Sequence, residues 1–484
     1  MNRQIVKLFG LIVVLFGILV AFTSYWSVFE AEALKEKEAN ARPLIEQQQI
    51  ERGRILAADG TVIARSVRKG RGDDLRYVRR YPEGALFGHP IGYSFVRQGD
   101  TQFEQFHNDE LVGNESEFVS LLDELRGQVQ EGNDVVTNLD PEGQRVALGG
   151  LEAAGRGAVV AIEPSTGRVR VMASNPSYDP NRVPFELGKL NQNVEESPVL
   201  DRATQGQYPP GSTFKVVTAA AGLGSGTIDL DSTIEAPATI DVQGQPLANS
   251  DGTSYGAIPL ETALTGSVNT WFAQLGEQVG SDTLFDYMDE FGFGSTPAID
   301  LPDDQVYRSG AFEGRDLLGR GDAVDVARMA IGQERLAVTA LQMAQVASAV
   351  ANDGELMKPQ LWSRVVDPDG RVTERLDPAL YSTPMDEETA EALTDAMEGV
   401  VSGGTGENAA IPGVPVAGKT GTAETPFNES CGETDANQAW FIGFAPADDP
   451  QIAIAVTVEC TPSFGGEIAA PIFREVAEAL IDDE

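Results

Sequence analysis

Three short runs carry the side chains best suited to covalent chemistry: Ser212-Thr213-Phe214-Lys215, Ser267-Val268-Asn269 and Lys419-Thr420-Gly421-Thr422. A serine hydroxyl is a weak nucleophile until a neighbouring base takes its proton. Imidazole often fills that role, but the chain has only His89 and His107, both far upstream of these runs. Lysine is the remaining candidate base. An amine serves near neutral pH only where burial or a nearby cation depresses its pKa. Lys215 has a route to that state, because it sits between Phe214 and Val216 at the head of an almost wholly apolar run ending at Leu223. Pro209-Pro210-Gly211 forms a rigid turn ahead of it. Ser212 is therefore expected in the first turn of a buried helix, with Lys215 three residues on and on the same face. Serine chemistry here is lysine-assisted or absent.

Each run alone says little. Ser212 could be a helix cap with a snorkelling lysine beside it. A second Ser-x-x-Lys, Ser66-Val67-Arg68-Lys69, lies in a basic stretch whose polar neighbours cannot bury the amine, and it is assigned no chemistry. Ser267-Val268-Asn269 could serve a turn. Lys419-Thr420-Gly421-Thr422 could be an ordinary strand end, with Gly421 marking a bulge or close backbone approach. Their joint occurrence, in this order and in helix, loop and strand contexts, is the informative observation.

The elements that must position these residues are legible around them. Ala158 to Ile162 and Val169 to Ala173, joined by Pro164-Ser165-Thr166-Gly167, read as two strands and a tight turn. A helix-rich middle follows. Three further strands are expected: Val414 to Val416 leading into Lys419, Trp440 to Ala445, and Ile452 to Val458, with an amphipathic helix from Ile472 to Ile481 closing the chain. Two strands, a helical block, three strands and a helix make an α/β sandwich around a mostly antiparallel sheet of five strands. Gly53 to Asp140 mixes short alternating segments with turn dipeptides, as in a smaller α+β module, and Glu30 to Gln49 reads as a polar stalk.

The chain has 484 residues, a length that suits two or three domains. Its net charge of −39 excludes nucleic acid as a natural partner, since phosphate binding requires concentrated Lys and Arg; solubility or a saline habitat accounts for the acidity better. Two Cys and two His, widely separated, give no zinc site, and no metal or cofactor is expected. After Arg3 and Lys7 an uncharged run extends from Leu8 to Phe29, ending in Tyr25, Trp26 and Phe29. About 20 apolar residues cross a bilayer as a helix, more than a cleaved signal normally carries. The flanking charges, with Glu30 and Glu32 beyond, put the N-terminus in the cytoplasm and the bulk outside. Ala31-Glu32-Ala33 resembles a cleavage motif and leaves removal of the segment as the alternative. On the outer side a disulfide can persist. In a hairpin of the last two strands Cys460 returns to the end where Trp440 begins, within reach of Cys431. Such a bridge is worth about 3 kcal/mol by loop entropy.

The order Ser-x-x-Lys, Ser-x-Asn, Lys-Thr-Gly is the signature shared by penicillin-binding proteins and serine β-lactamases. The chain as a whole resembles the class B, monofunctional penicillin-binding proteins, and within them the actinobacterial A-type branch. Ile50-Glu51-Arg52-Gly53-Arg54-Ile55-Leu56 is similar to the start of that family's pedestal, and Gly157 to Asn181 to the start of its transpeptidase domain. Ile331-Gly332-Gln333 and Ala351-Asn352-Asp353-Gly354 match further stretches. The resemblance implies a tail at residues 1–7, a transmembrane anchor at 8–29, a pedestal or dimerisation module at 30–154, and a serine β-lactamase-like transpeptidase domain at 155–484, with helices on both faces of its sheet. It further implies a D,D-transpeptidase that cross-links peptidoglycan stem peptides ending in D-Ala-D-Ala and is acylated by β-lactams. Ser212 would be the nucleophile, Lys215 its base, Ser267 a proton relay and Asn269 a contact to the substrate backbone. Lys419 would depress the pKa of Lys215 and, with Thr420 and Thr422, hold the terminal carboxylate beside Gly421. A membrane and a SEDS-family glycosyltransferase are the expected partners. Two rivals share the motifs: a carboxypeptidase or β-lactamase that gives the acyl group to water, and a β-lactam sensor or catalytically silent scaffold that binds through the same fold.

Overall fold

Helix α1 (Asn2–Ser24) is exposed from Arg3 onward, and its most apolar 18-residue window has a mean hydropathy of 2.8. At 1.5 Å per residue the 22 residues Arg3–Ser24 extend about 33 Å, enough to cross the hydrocarbon core. The computed structural model describes residues 2–25, 50–71, 75–113, 131–424, 431 and 436–481. The expected outer edge of the span at Trp26 and Phe29, the residues Ala31-Glu32-Ala33 and the stalk to Gln49 lie outside the described residues.

Strands β1 (Ile55–Leu56), β2 (Val62–Lys69), β3 (Arg76–Arg80) and β4 (Asp134–Thr137) form the expected N-terminal module. Helix α2 (Pro141–Ala154) follows at once, because Asp140 caps the backbone N–H groups of Glu142 and Gly143 and Pro141 takes the first position, where its missing N–H costs nothing. β5 (Gly157–Ile162) and β6 (Val169–Asn175) are the predicted hairpin. The middle supplies α3 (Lys215–Gly224), α4 (Leu260–Thr265), α5 (Asn269–Val279) and α6 (Ala340–Ala351). All 12 residues of α6 are buried, and Thr339 caps it through the Gln342 N–H. Then come β7 (Trp362–Val366), β8 (Val372–Arg375) and α7 (Glu387–Gly403), and last β9 (Ala417–Glu424), β10 (Asn437–Ala445), β11 (Ile452–Thr461) and α8 (Gly465–Leu480).

The central sheet has five strands in the order β9-β10-β11-β5-β6, every pair antiparallel. Its pleat separates two apolar layers. Val159, Ala161, Ile454 and Val456 pack with α2 and α8, while Ala158, Val160, Ala453 and Ala455 face the larger core that holds α3 and α6. This is the sandwich with helices on both faces that the sequence predicts.

Two boundaries differ from expectation. The strand expected at Val414 to Val416 begins instead at Ala417, since Pro415 cannot donate to a ladder. It then runs through Lys419-Thr420-Gly421-Thr422 rather than ending there, paired residue by residue from Ala417↔Phe444 to Glu424↔Asn437. The last helix starts at Gly465, not after Pro471; its first turn is held by the sheet, with the Gly465 N–H donating to Thr422 Oγ1 at 3.2 Å. Cys431 and Cys460 are joined in a disulfide with Cα atoms 5.3 Å apart, the pairing expected from the hairpin.

Candidate active site

Pro209 and Pro210 bring the chain to the edge of the sheet, where the Trp440 indole N–H on β10 donates to the Pro209 carbonyl at 3.0 Å. A 3₁₀ turn, Gly211–Phe214, comes before α3, so Ser212 stands one turn ahead of the helix and Lys215 is its first α-helical residue. Gly211 has φ +53, and a Cβ there would lie 2.7 Å from the Thr422 carbonyl oxygen. The backbone around Ser212 therefore runs directly beside β9. Gly421 permits that approach from the other side, since a Cβ on it would sit 2.8 Å from the Pro210 carbonyl.

The pleat of β9 directs its four motif residues to two faces. Thr420 and Thr422 line a cleft of about 760 Å³ together with Ser212, Ser267 and Asn269. Lys419 and Gly421 alternate with them, and Lys419 is fully buried. Ser267 is held between α4 and α5 at φ +53, a conformation that costs a non-glycine residue energy and points to a local requirement. Its hydroxyl lies between two amines, 3.2 Å from Lys215 Nζ and 3.0 Å from Lys419 Nζ. Lys215 also donates to the Ser267 carbonyl at 2.7 Å and to Asn269 Oδ1 at 2.7 Å. Asn269 is oriented in turn by donating from Nδ2 to the Ala248 carbonyl at 3.0 Å.

No carboxylate compensates either lysine: neither forms an ion pair among the described residues. Burial pushes the Lys215 pKa well below the ordinary lysine value, and the Lys419 charge pushes it further the same way. Burial alone brings Lys419 down to about 7. Neither histidine lines the cleft. His89 is buried elsewhere, its Nε2 3.0 Å from the Pro198 carbonyl, and burial brings it down to about 3.

All eight residues expected from the motifs thus meet in one place: Ser212, Ser267, Asn269, Thr420 and Thr422 on the cleft, with Lys215, Lys419 and Gly421 beneath it. The motifs miss others. Asn249, Arg328, Gln333 and Thr405 line the same cleft, and Thr405 Oγ1 lies 2.6 Å from Thr420 Oγ1. Gly332 packs its backbone on Gly211, accepting the Gly211 N–H at 2.9 Å, and a Cβ on it would lie 1.8 Å from the Gly211 carbonyl oxygen. The run Ile331-Gly332-Gln333 was the available signal for two of these residues, though nothing local in it reveals the contact.

A fully antiparallel five-stranded sheet whose Lys-Thr-Gly edge strand packs against a turn and helix bearing a serine and a second buried lysine defines a serine acyl-transferase fold. The sequence matches the penicillin binding protein transpeptidase domain over residues 157–478 and the penicillin binding protein A dimerisation domain over 52–135, and the chain belongs to the penicillin-binding protein transpeptidase family. It is 34% identical to the peptidoglycan D,D-transpeptidase PbpA of Mycolicibacterium smegmatis, covering 99% of each chain. Identity to the PbpA of Mycobacterium tuberculosis is 31% over the full length of both. The structure superposes on penicillin-binding protein A from M. tuberculosis in its ceftriaxone acyl-enzyme complex with a TM-score of 0.81 at 32% identity, covering 90% of this chain and 100% of that one.

Proposed function

We propose that this chain is a peptidoglycan D,D-transpeptidase that works through an acyl-enzyme on Ser212 and is covalently inhibited by β-lactams at that residue. In the forward step Ser212 Oγ attacks the carbonyl between the two terminal D-alanines of a stem peptide. Neutral Lys215 takes the hydroxyl proton. Ser267, hydrogen-bonded to both amines, passes a proton to the departing D-alanine amine, leaving an ester on Ser212. An amine from a neighbouring stem then attacks the ester; the new amide is the cross-link, and the proton returns to Ser212. Backbone N–H groups of Ser212 and Thr422 serve as the oxyanion hole, where one donor is typically worth about 3–4 kcal/mol. Thr420 and Thr422, with the Lys419 charge behind them, receive the substrate carboxylate.

The observation that carries this reading is the Ser267 hydroxyl suspended between Lys215 and Lys419, both fully buried and without a carboxylate partner among the described residues. Such an arrangement favours one uncharged amine beside one charged amine, which is a base with its tuning cation. The family's transpeptidase members supply the substrate class.

The remaining parts of the reading rest on sequence. Residues 8–29 anchor the chain once in the membrane, with Arg3 and Lys7 on the cytoplasmic side and the catalytic domain outside. Residues 30–154 form the pedestal, and a SEDS-family glycosyltransferase supplies the glycan strand. The deciding experiment is labelling with a fluorescent penicillin, followed by peptide mass spectrometry. Wild type is expected to carry a stable adduct on Ser212 and Ser212→Ala none. An adduct on another residue would overturn the assignment, and rapid release of the penicilloyl group would move it to a hydrolase.

A further inference from the structure

Outside the cleft, the most unusual cluster of charge lies where the N-terminal module meets the catalytic sheet. A cavity of about 280 Å³ is walled by Thr137 and Asn138 at the end of β4, by the β5–β6 turn, and by the β7–β8 hairpin with Asp377 and Pro378 beyond it. Four arginines line it: Arg168, Arg170, Arg364 and Arg375. That density is unexpected in a chain of net charge −39.

Two of the four are placed against their own electrostatics. Arg364 and Arg375 are direct cross-strand partners in the β7–β8 ladder, so their side chains project from the same face. Like charges directly opposite destabilise a strand pair. Among the described residues neither has a carboxylate within ion-pair distance. Glu163, which lines the same cavity, and Asp140 pair with the other two arginines and leave Arg364 and Arg375 uncompensated. Glu163 binds Arg170 at 2.5 Å and approaches Arg168 at 3.6 Å, and Asp140 binds Arg170 at 3.2 Å. Asp377 is exposed at the rim, with no ion pair among the described residues. The other polar wall groups are also engaged: Asn138 donates to the Gln360 and Trp362 carbonyls, Ser363 to Val136 and Thr137 to Leu56. Arg170 Nε, also buried, has no hydrogen-bond partner among the described residues.

We infer that this seam is a binding site for a small phosphate-type oxyanion, held by the opposed guanidinium groups of Arg364 and Arg375 with Arg168 and Arg170 Nε completing the set. Guanidinium forks match phosphate oxygens in pairs, and an anion between two like charges offsets their repulsion. The volume is at the small end of ligand sites and suits inorganic phosphate, pyrophosphate or the phosphate of a lipid headgroup. Because its walls come from three segments far apart in the chain, a bound anion ties the N-terminal module to the catalytic sheet. The site is independent of the acylation chemistry.

The test uses the full-length chain in phosphatidylcholine nanodiscs, with unfolding followed while inorganic phosphate replaces chloride at constant ionic strength. Binding to the folded state alone raises Tm as the site fills, and a saturable rise of about 2–4 °C is expected. In R364Q/R375Q the rise is expected to vanish while fluorescent-penicillin labelling keeps the wild-type rate. Should the double variant fail to label, R375Q alone, at an exposed position, is expected to weaken the phosphate response at least about tenfold. A rise only in phosphatidylglycerol nanodiscs without added phosphate would support the site and identify a headgroup as its source. No saturable rise in either medium, or the same rise in wild type and the labelling-competent variant, overturns the proposal.

Discussion

A buried ammonium without a carboxylate partner can lower its free energy by finding carbonyl acceptors or by losing its proton, and Lys215 does the first while being driven toward the second. Its acceptors are the Ser267 carbonyl and Asn269 Oδ1, and its pKa is pushed well down by burial and by Lys419. The sign of the pH dependence follows. The free amine exists above the depressed folded-state pKa, so acylation falls as the pH drops through that value. Lys419 acts while charged, and its own pKa of about 7 means the cation is lost as the pH rises past that point. Penicillin acylation rates should therefore trace a bell with its alkaline limb near 7, and Lys419→Arg should move that limb up beyond the measured range. A rate that climbs monotonically toward pH 10 would show that Lys215 is an ordinary lysine, and the proposed base would be lost. Lys215 and its partners were legible in sequence because the signals are local: an apolar run, a proline turn and the scarcity of histidine. The strain at Ser267 was not, since a positive φ at a serine follows from how α4 and α5 dock rather than from the Ser-Val-Asn triplet itself.

Elements set the site by how closely their backbones approach. Three glycines, Gly211, Gly332 and Gly421, let the backbones of the turn bearing Ser212, β9 and the segment after Arg328 approach more closely than a Cβ would allow. Gly332 is the most constrained of them, with φ +79 and no room for a methyl group. Gly332→Ala must either displace the Gly211 peptide or distort its own, costing about 2–4 kcal/mol by strain and a lost hydrogen bond. Because the displaced peptide is adjacent to Ser212, acylation should fall at least about a hundredfold, while a substitution at exposed Gly314 leaves it unchanged. Stopped-flow acylation and thermal unfolding measured on both variants check this; a normal rate in Gly332→Ala would mean the three-way contact does not position Ser212. The same scale shows where sequence reading stops. Strand β9 was foreseen, but its start was misplaced by three residues: Val414 and Val416 carry strand propensity, and only the ladder with β10 reveals that pairing starts after Pro415. A contact such as Gly332 on Gly211 joins residues 121 positions apart and leaves no periodicity to read.

Across the whole molecule, the division expected near residue 155 is crossed by the fold. The sheet of the N-terminal module has six strands in the order β8-β7-β4-β1-β2-β3, and two of them, β7 and β8, come from the middle of the catalytic segment. β7 pairs with β4 from Trp362↔Thr137 to Val366↔Asp134, and Asn138 reinforces the seam by donating to the Trp362 carbonyl at 3.0 Å. Sequence alone suggested two consecutive modules because composition changes near Gly155, whereas strand exchange between modules depends on pairing that composition does not record. The expected consequence is that residues 155–484 alone do not make a self-sufficient unit. Removing the preceding segment strips β7 of its partner, uncovers Trp362 and Val365, both buried, and leaves an open edge suited to aggregation. Produced alone, residues 155–484 should be largely insoluble or melt at least about 10 °C below residues 50–484. Within the soluble fraction, penicillin labelling per molecule should still occur, since every cleft residue lies beyond 155. The comparison separates two ideas about the N-terminal module: equal solubility and Tm for the two segments would make it a detachable appendage, and a large difference makes it half of a shared sheet on which the acyl-transfer site is carried.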